Sequence, residues 1–307
     1  MLSELLRDIE TVLLPSFPDG TQLLPLESYS PDGSHFLMCV RIVGPNSRTQ
    51  QGILKVKRLE LIEHEARALG ALKCTELPVP ELLFGPARIP GTDQAFVLLS
   101  QLRGASIPWC GISSLNEADM SCRLALEAIR RLHATTSRLI EQGAIALLPS
   151  FTLKQEHRST IQEAGSWLQV DLFRRAVETI TTAIEVDVTP LVFSNGDYNP
   201  LNFLVDRGEI SGFVDFEGAC FENPHIGFAK FAIWEPDGFG WGTGAKVGLI
   251  ERYLYSRNLS RRDFAPILIL RCLRHLIRET SVKKPKDEPM RRHMFGLIEK
   301  GLESLKV

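Results

Sequence analysis

Asp197, Asn202 and Asp215 share the stretch SNGDYNPLNFLVDRGEISGFVDFEGA, residues 194–219. These residue types, spaced in this way, suit phosphoryl transfer. That reaction needs a group to orient the acceptor hydroxyl, oxygen ligands for Mg²⁺, and positive charge on the phosphates. An aspartate followed five positions later by an asparagine meets the first two needs, and Asp197 and Asn202 have that spacing. The pair alone says little, because a D-x-x-x-x-N match is expected about once by chance in a chain of this length. Its surroundings give it weight. Asn202 opens an apolar strand, a tight turn follows at Gly208, and Asp215 closes the second strand. A carboxylate inside GFVDF is costly to bury unless it binds something. Mg²⁺ takes oxygen ligands and keeps waters, so one carboxylate and one amide suffice beside phosphate oxygens. Asp206 reads as part of the hairpin turn, and Asn199 as local loop structure. Glu217 is open between a third acid at the site and a surface group.

The elements that must position these residues can be read around them. Strands are predicted over 22–29, 35–43 and 51–57, with Pro31, Asp32 and Gly33 supplying the first turn. Ile62, Ala66, Leu69 and Leu72 give a helical period over 58–73, and Pro78 and Pro80 end it. Strands over 81–89 and 94–102 pair around a turn at 91–93. Helices follow over 114–140, capped by Asn116, and over 165–184. The hairpin of 201–206 and 210–216 interrupts this helical region, and helices near 244–256 and 264–280 complete it. His133 reads as a core histidine, and Trp234 and Trp241 as packed aromatics. The opening residues have acids among their apolar positions, so they form an amphipathic helix and not a signal peptide.

Composition narrows the function classes. The chain has 307 residues, of which 44% are hydrophobic and 23% charged, with a net charge of −2. These are values of an ordinary globular protein, and they favour neither a nucleic-acid nor a membrane partner. The apolar runs stop well short of the roughly 20 residues a span needs. The six cysteines, at 39, 74, 110, 122, 220 and 272, form no CxxC pair. Buried reduced thiols in a cytoplasmic protein are expected.

The stretch around Asp197 also carries a family resemblance. NGDYNPLNFLV and GFVDFEGA resemble the Brenner-type signature of the aminoglycoside phosphotransferase and choline kinase superfamily. The family pattern is H-G-D-x-x-x-x-N, a hairpin, then I-D-[WF]-[ED]-x-A. GILKV resembles the strand carrying the phosphate-binding lysine, which implies Lys55 with Lys57 as competitor. EHEARALGAL resembles the helix whose glutamate pairs with that lysine, implying Glu65 with Glu63 as competitor. VPELL and FVLLSQLRG resemble the run into the hinge, where the backbone of Ser100, Gln101 and Leu102 would meet adenine. AIRRLHA resembles the Leu-His ending of a large-lobe helix. The resemblance spans about residues 20–235. It implies an α+β, protein-kinase-like two-lobe fold. The N-lobe, residues 1–102, would be a small antiparallel sheet with one main helix that binds nucleotide. The C-lobe, residues 103–307, would be mostly helical and carry catalysis and the acceptor. Asp197 would be catalytic and Asn202 and Asp215 metal-binding, with ATP or GTP and Mg²⁺ as cofactors. The implied partners are that nucleotide and a small-molecule hydroxyl substrate such as an antibiotic, an amino alcohol or a sugar.

The chain departs from the family pattern at three places. Asn195 stands where the family has histidine. SYSPDGSH, at the phosphate-covering loop, has one glycine. Asp215 is followed by Phe-Glu, with too few residues before His225 for a protein-kinase activation loop. A nucleotide-binding pseudokinase or scaffold is therefore the rival reading. The acceptor is open as well. Residues 261–307 carry twelve Lys/Arg against six Asp/Glu. A polycationic acceptor would have to rely on Glu217, Glu222, Glu235 and Asp237.

Overall fold

The computed structural model describes residues 2–28, 36–45, 49–109, 112–233, 244, 247–280 and 288–306. The turn at 31–33, Cys110, Trp234, Glu235, Asp237 and Trp241 lie outside them. The first helix, α1 (Leu2–Leu13), precedes three strands, β1 (Gln22–Ser28), β2 (Phe36–Val43) and β3 (Thr49–Arg58). Next come α2 (Leu59–Leu72), β4 (Leu82–Arg88) and β5 (Gln94–Ser100). The five strands form one antiparallel sheet in the order β1-β2-β3-β5-β4. Alternation along β3 decides what the sheet offers on each face. Leu54 and Val56 turn into a core with Ile9 and Leu13 of α1, so Lys55 and Lys57 turn to the opposite face. On that face Ile62, Leu69 and Leu72 of α2 pack on Val97 and Leu99 of β5.

A two-residue strand, β6 (Ala105–Ser106), leads out of the sheet into the helical part. There α3 (Leu115–Ala134) and α4 (Thr136–Glu141) are followed by β7 (Ser150–Phe151), α5 (Leu153–Glu163) and α6 (Asp171–Glu185). Then come β8 (Val192–Ser194), the hairpin β9 (Phe203–Asp206) and β10 (Glu209–Phe213), and β11 (Cys220–Glu222). The last elements are α7 (Lys230–Ile233), α8 (Leu249–Ser256), α9 (Arg261–Glu279) and α10 (Glu288–Lys306). Two small sheets brace the loops between these strands, one ordered β10-β9-β6 and one ordered β7-β11-β8. The core below α2 continues through α3 to Phe193, Phe203, Phe213, Phe216 and Phe228. A separate core joins α5, α6, α9 and α10 through Phe173, Ile180, Leu273 and Ile298.

Gly104 shows how tightly β6 is stitched to the hairpin. Its φ is +106°, and a Cβ there would lie 2.5 Å from Ser211 Oγ and 2.7 Å from the Val205 carbonyl. A substituted residue therefore fits neither the backbone nor the space. The Ser106 hydroxyl donates to the Leu201 carbonyl at 2.9 Å, and the Ile107 N–H to that of Phe203 at 2.9 Å. On the sheet side of this junction, Gln101 accepts a weak contact from Cys39 Sγ at 3.8 Å. On the other side, Leu102 packs against Gly212.

Several boundaries differ from expectation, for local reasons. Ser114, not Asn116, caps α3: its hydroxyl accepts from the Glu117 N–H at 3.2 Å. The expected helix over 114–140 is interrupted at Thr135. There Thr135 and Thr136 return their hydroxyls to the carbonyls of Leu132 (2.7 Å) and His133 (2.6 Å), competing with the helical ladder. The expected helix over 165–184 begins instead at Asp171, after a 3₁₀ turn over Gly165–Gln169. Helix α9 starts at Arg261 through a capping box between Ser260 and Asp263. Asn202 closes the 3₁₀ turn Pro200–Asn202 and does not open the strand. Asp215 lies beyond β10 at φ +64°. Among the described residues five cysteines are free, and no helix is long and apolar enough to cross a membrane.

Candidate active site

The loop after β8 is shaped by side chains that bond to their own backbone. Ser194 Oγ accepts from the Gly196 N–H at 2.9 Å, Asn195 Oδ1 from that of Asp197 at 3.3 Å, and Asn199 Oδ1 from that of Leu201 at 3.0 Å. Asn199 is thus a loop residue, and Asp206 is the exposed last residue of β9. Asn202 Nδ2 donates to the Asp197 carbonyl at 3.2 Å and approaches its Oδ2 at 3.5 Å. The Val214 N–H donates to the Asn202 carbonyl at 3.0 Å, joining this loop to the one bearing Asp215. The two loops also meet backbone to backbone. Gly196 has φ +81°, and a Cβ on it would stand 2.0 Å from the Gly218 carbonyl oxygen.

Beneath Asp197, the buried Tyr198 hydroxyl meets His133 Nε2 at 2.8 Å, and Arg257 meets His133 Nδ1 at 3.0 Å. Arginine can only donate, so Nδ1 accepts and the proton sits on Nε2, which donates to Tyr198. Burial, then Arg257 and His225, push the His133 pKa down to about 3. His133 is therefore a neutral strut under the loop. Asn195 is fully buried and props the loop through its amide oxygen, while its Nδ2 has no partner among the described residues.

A cluster of charges faces this loop from the sheet. Lys55 Nζ lies 2.7 Å from Glu65 Oε2, 2.6 Å from Asp215 Oδ1 and 3.6 Å from Glu217 Oε2. Lys57 pairs with Glu217 and lies 3.9 Å from Asp215. Glu65 Oε1 also accepts the Phe216 N–H at 3.2 Å. Glu65, and not Glu63, is thus the α2 carboxylate on Lys55, and Glu217 belongs to the cluster. Burial works against the Lys55 charge, but Glu65, Asp215 and Glu217 outweigh it and hold the ammonium above its ordinary range. Burial likewise raises Asp215, yet Lys55, then Lys57 and Lys230, bring it below the usual carboxylate range. Asp215 is therefore paired in this structure and not stranded in an apolar strand.

A cleft of about 540 Å³ between sheet and hairpin is lined by Lys55, Glu65, Ser100, Gln101, Leu102, Asn202 and Asp215. The predicted residues thus converge on one place, with Asp197 bonded to Asn202 at its edge. Among the described residues no group of three or more His, Cys, Asp and Glu could hold a metal. The donor set fits a cation that also takes phosphate oxygens and water. It offers the Asp215 carboxylate and the Asn202 amide oxygen, since the amide NH₂ is turned to Asp197.

Sequence reasoning missed Lys230, the first residue of α7, whose ammonium contacts Asp197 Oδ1. No spacing rule pointed to it. Arg271 of α9 lies near Glu222 and Asp197; burial lowers its pKa, and these two acids offset part of that shift.

A family model described as the phosphotransferase enzyme family (APH) matches residues 41–264. No curated protein matches the chain significantly. Among solved structures, the chain is similar to a thermostable mutant of the aminoglycoside phosphotransferase APH(4)-Ia in ternary complex with ADP and hygromycin B. The TM-score is 0.69 at 13% identity, over 97% of this chain and 98% of that one. Another mutant of that protein, with AMP-PNP and hygromycin B, gives a TM-score of 0.69 at 15% identity over the same shares of the chains. The GDP and kanamycin complex of APH(2″)-IIIa gives 0.60 at 15% identity, over 97% and 98%. At such identities the likeness is one of fold, and it shows the α+β, protein-kinase-like two-lobe architecture. With the Asp197 and Asp215 loops both inside the matched residues, the chain belongs to the phosphotransferase enzyme family.

Proposed function

We propose that the protein uses ATP and Mg²⁺ to move the γ-phosphate to a hydroxyl of a small molecule. One observation carries this reading. Lys55 is held at once by Glu65 and Asp215, within the cleft that Asn202 lines and beside the loop of Asp197. In this reading residues 1–102 bind the nucleotide, whose base meets the backbone of Ser100, Gln101 and Leu102. Residues 103–307 supply the catalytic loop and the acceptor site. Lys55 moves from Asp215 to the phosphates, while Glu65 keeps it in place. Asn202 and Asp215 hold Mg²⁺, which when bound neutralises charge on the phosphates. Asp197 orients the acceptor hydroxyl and takes its proton as its oxygen bonds to the γ-phosphorus. The bond to the β,γ-bridging oxygen breaks and ADP leaves. Catalysis here is mostly positioning and charge neutralisation. The solved neighbours with ADP, AMP-PNP and GDP support a nucleotide site and keep GTP as an alternative donor.

Asp197→Ala tests the assignment. It should retain Mg-ATP binding by calorimetry and lose about 10²- to 10⁴-fold of turnover, the usual worth of a positioned base. Unchanged turnover would sink it. One observation favours a nucleotide-binding scaffold instead: Lys230 already occupies the Asp197 carboxylate. Mg-ATP binding without hydrolysis or transfer to a broad hydroxyl panel would support that reading.

A further inference from the structure

A second cavity, of about 650 Å³, lies where the end of α6 meets the first turns of α9. It shares no lining residue with the cleft around Lys55. Leu153, Ile184, Ile267 and Leu305 give it an apolar lining, and His225 and Asp187 add polar groups. Arg262 and Asp263, both exposed, also line it and cancel in formal charge. The charge left over is that of Asp187.

The hydrogen bonds around His225 fix what it presents to the cavity. The residue is 8% exposed. Its Nδ1 lies 3.0 Å from the Tyr253 hydroxyl, and that hydroxyl donates its one proton to the Pro224 carbonyl at 2.8 Å. Tyr253 therefore accepts from the ring, so Nδ1 carries the ring proton and Nε2 is a bare acceptor. Among the described residues Nε2 has no hydrogen-bond partner. Burial, then Arg257, push the His225 pKa down to about 4, so the ring is neutral near pH 7. Asn223 ties this ring to Asp187. Its Oδ1 accepts the His225 N–H at 2.9 Å, and its Nδ2 approaches Asp187 Oδ2 at 3.5 Å. Asp187 Oδ1 accepts the Thr189 hydroxyl at 2.7 Å. A carboxylate takes about four hydrogen bonds, so Asp187 keeps room for another donor on Oδ2. Thr179 and Thr189 line the cavity too, but their protons are turned to the Arg175 carbonyl and to Asp187.

The polar end of the cavity is thus rich in acceptors and carries one negative charge beside an apolar lining. An anion would meet the Asp187 charge. A purely apolar ligand would cover both acceptors without giving either a partner, which is costly. An ammonium brings three donors and the matching charge. We infer that this cavity binds an organic ammonium, whose N–H groups reach His225 Nε2 and the Asp187 carboxylate while its apolar body covers Leu153, Ile184 and Ile267. The site is separate from the proposed phosphoryl-transfer cleft and does not depend on that reading.

The test titrates the full chain by calorimetry with benzylamine, benzyl alcohol and benzoate, three probes of similar shape and different charge. Benzylamine should bind with a Kd of about 1 mM or tighter, as expected of a well-seated ligand of its size. It should exceed the alcohol and the acid by about tenfold or more, the worth of one charged hydrogen bond. Asp187→Asn should remove that advantage. Thr182→Trp, placed on an exposed lining residue, should fill the cavity and abolish binding. Asp197→Ala should bind benzylamine as the wild type does. Thermal melting confirms that each variant is folded, and either of the two cavity variants suffices if the other is not. Equal binding of the three probes overturns the inference, as does a benzylamine Kd weaker than about 10 mM. Unchanged benzylamine binding in the folded cavity variants also overturns it. Loss of binding in Asp197→Ala, with Asp187→Asn unaffected, overturns it and assigns the amine to the catalytic loop.

Discussion

Lys55→Met keeps most of the side-chain stem and deletes the ammonium. Glu65, 2% exposed, then retains the Phe216 N–H at 3.2 Å but loses the cation at 2.7 Å. A buried charge deprived of its partner costs about 3–5 kcal/mol. Glu65→Gln is milder. It leaves Lys55 on Asp215 at 2.6 Å and near Glu217 at 3.6 Å, so about one charged hydrogen bond is lost, roughly 1.5–3 kcal/mol. The double variant removes both charges and should fall short of the sum of the singles by about 1–3 kcal/mol. At roughly 2–4 °C per kcal/mol for a chain of this order of size, calorimetry should show Lys55→Met melting about 6–20 °C below the wild type. Additive single and double variants, or a Lys55→Met no worse than Glu65→Gln, would refute the view that one lysine neutralises this buried carboxylate.

Two further outcomes are expected. His133 and His225, held by burial at about 3 and about 4, stay neutral in the folded chain while the unfolded chain protonates near 6.5. The unfolded state therefore binds more protons as pH falls from 6.5 to 4, and each histidine should cost about 1.4 kcal/mol per pH unit there. Above 6.5 neither contributes to the slope. Melting curves across that window should steepen accordingly, and His133→Gln should give a visibly shallower fall; an unchanged slope would count against the strut. Gly196→Ala should lose several times more stability in urea than Gly208→Ala. Both glycines have positive φ, but a Cβ on Gly196 meets the Gly218 carbonyl at 2.0 Å, whereas one on Gly208 meets nothing within 4 Å. Position 208 should cost only about 1 kcal/mol.

The parts of the site that follow from local rules were visible in the sequence. The five-residue step from Asp197 to Asn202 spans one loop, and strand alternation puts Lys55 and Lys57 on one face. The choice between Glu63 and Glu65 was not visible. It depends on where α2 is rotated against the Asp215 loop, which is seen only when Phe216 reaches Glu65. Lys230 was invisible for the same reason: its contact with Asp197 is made by the return of the chain through β11. The positive φ of Asp215 has no compositional mark, so the pattern GFVDF extended the strand three residues too far. Helix α5 was legible and overlooked, since Thr152 and Gln155 make a capping box at its start. Asn116 was read as the cap of α3, yet Ser114 is a capping type as well, and residue type alone does not tell the two positions apart.

The tight stitching of β6 has a mechanical meaning. Gly104 is locked onto β9, Leu102 rests on β10, and Gln101 touches β2 on the other side. In the proposed division after residue 102, the covalent hinge between the two lobes would come down to about one peptide unit, between Gln101 and Leu102. In the proposed function that same unit receives the purine ring. The bound base would then be a splint across the pivot, so the angle between the lobes and the occupancy of the nucleotide site would be set at the same bond.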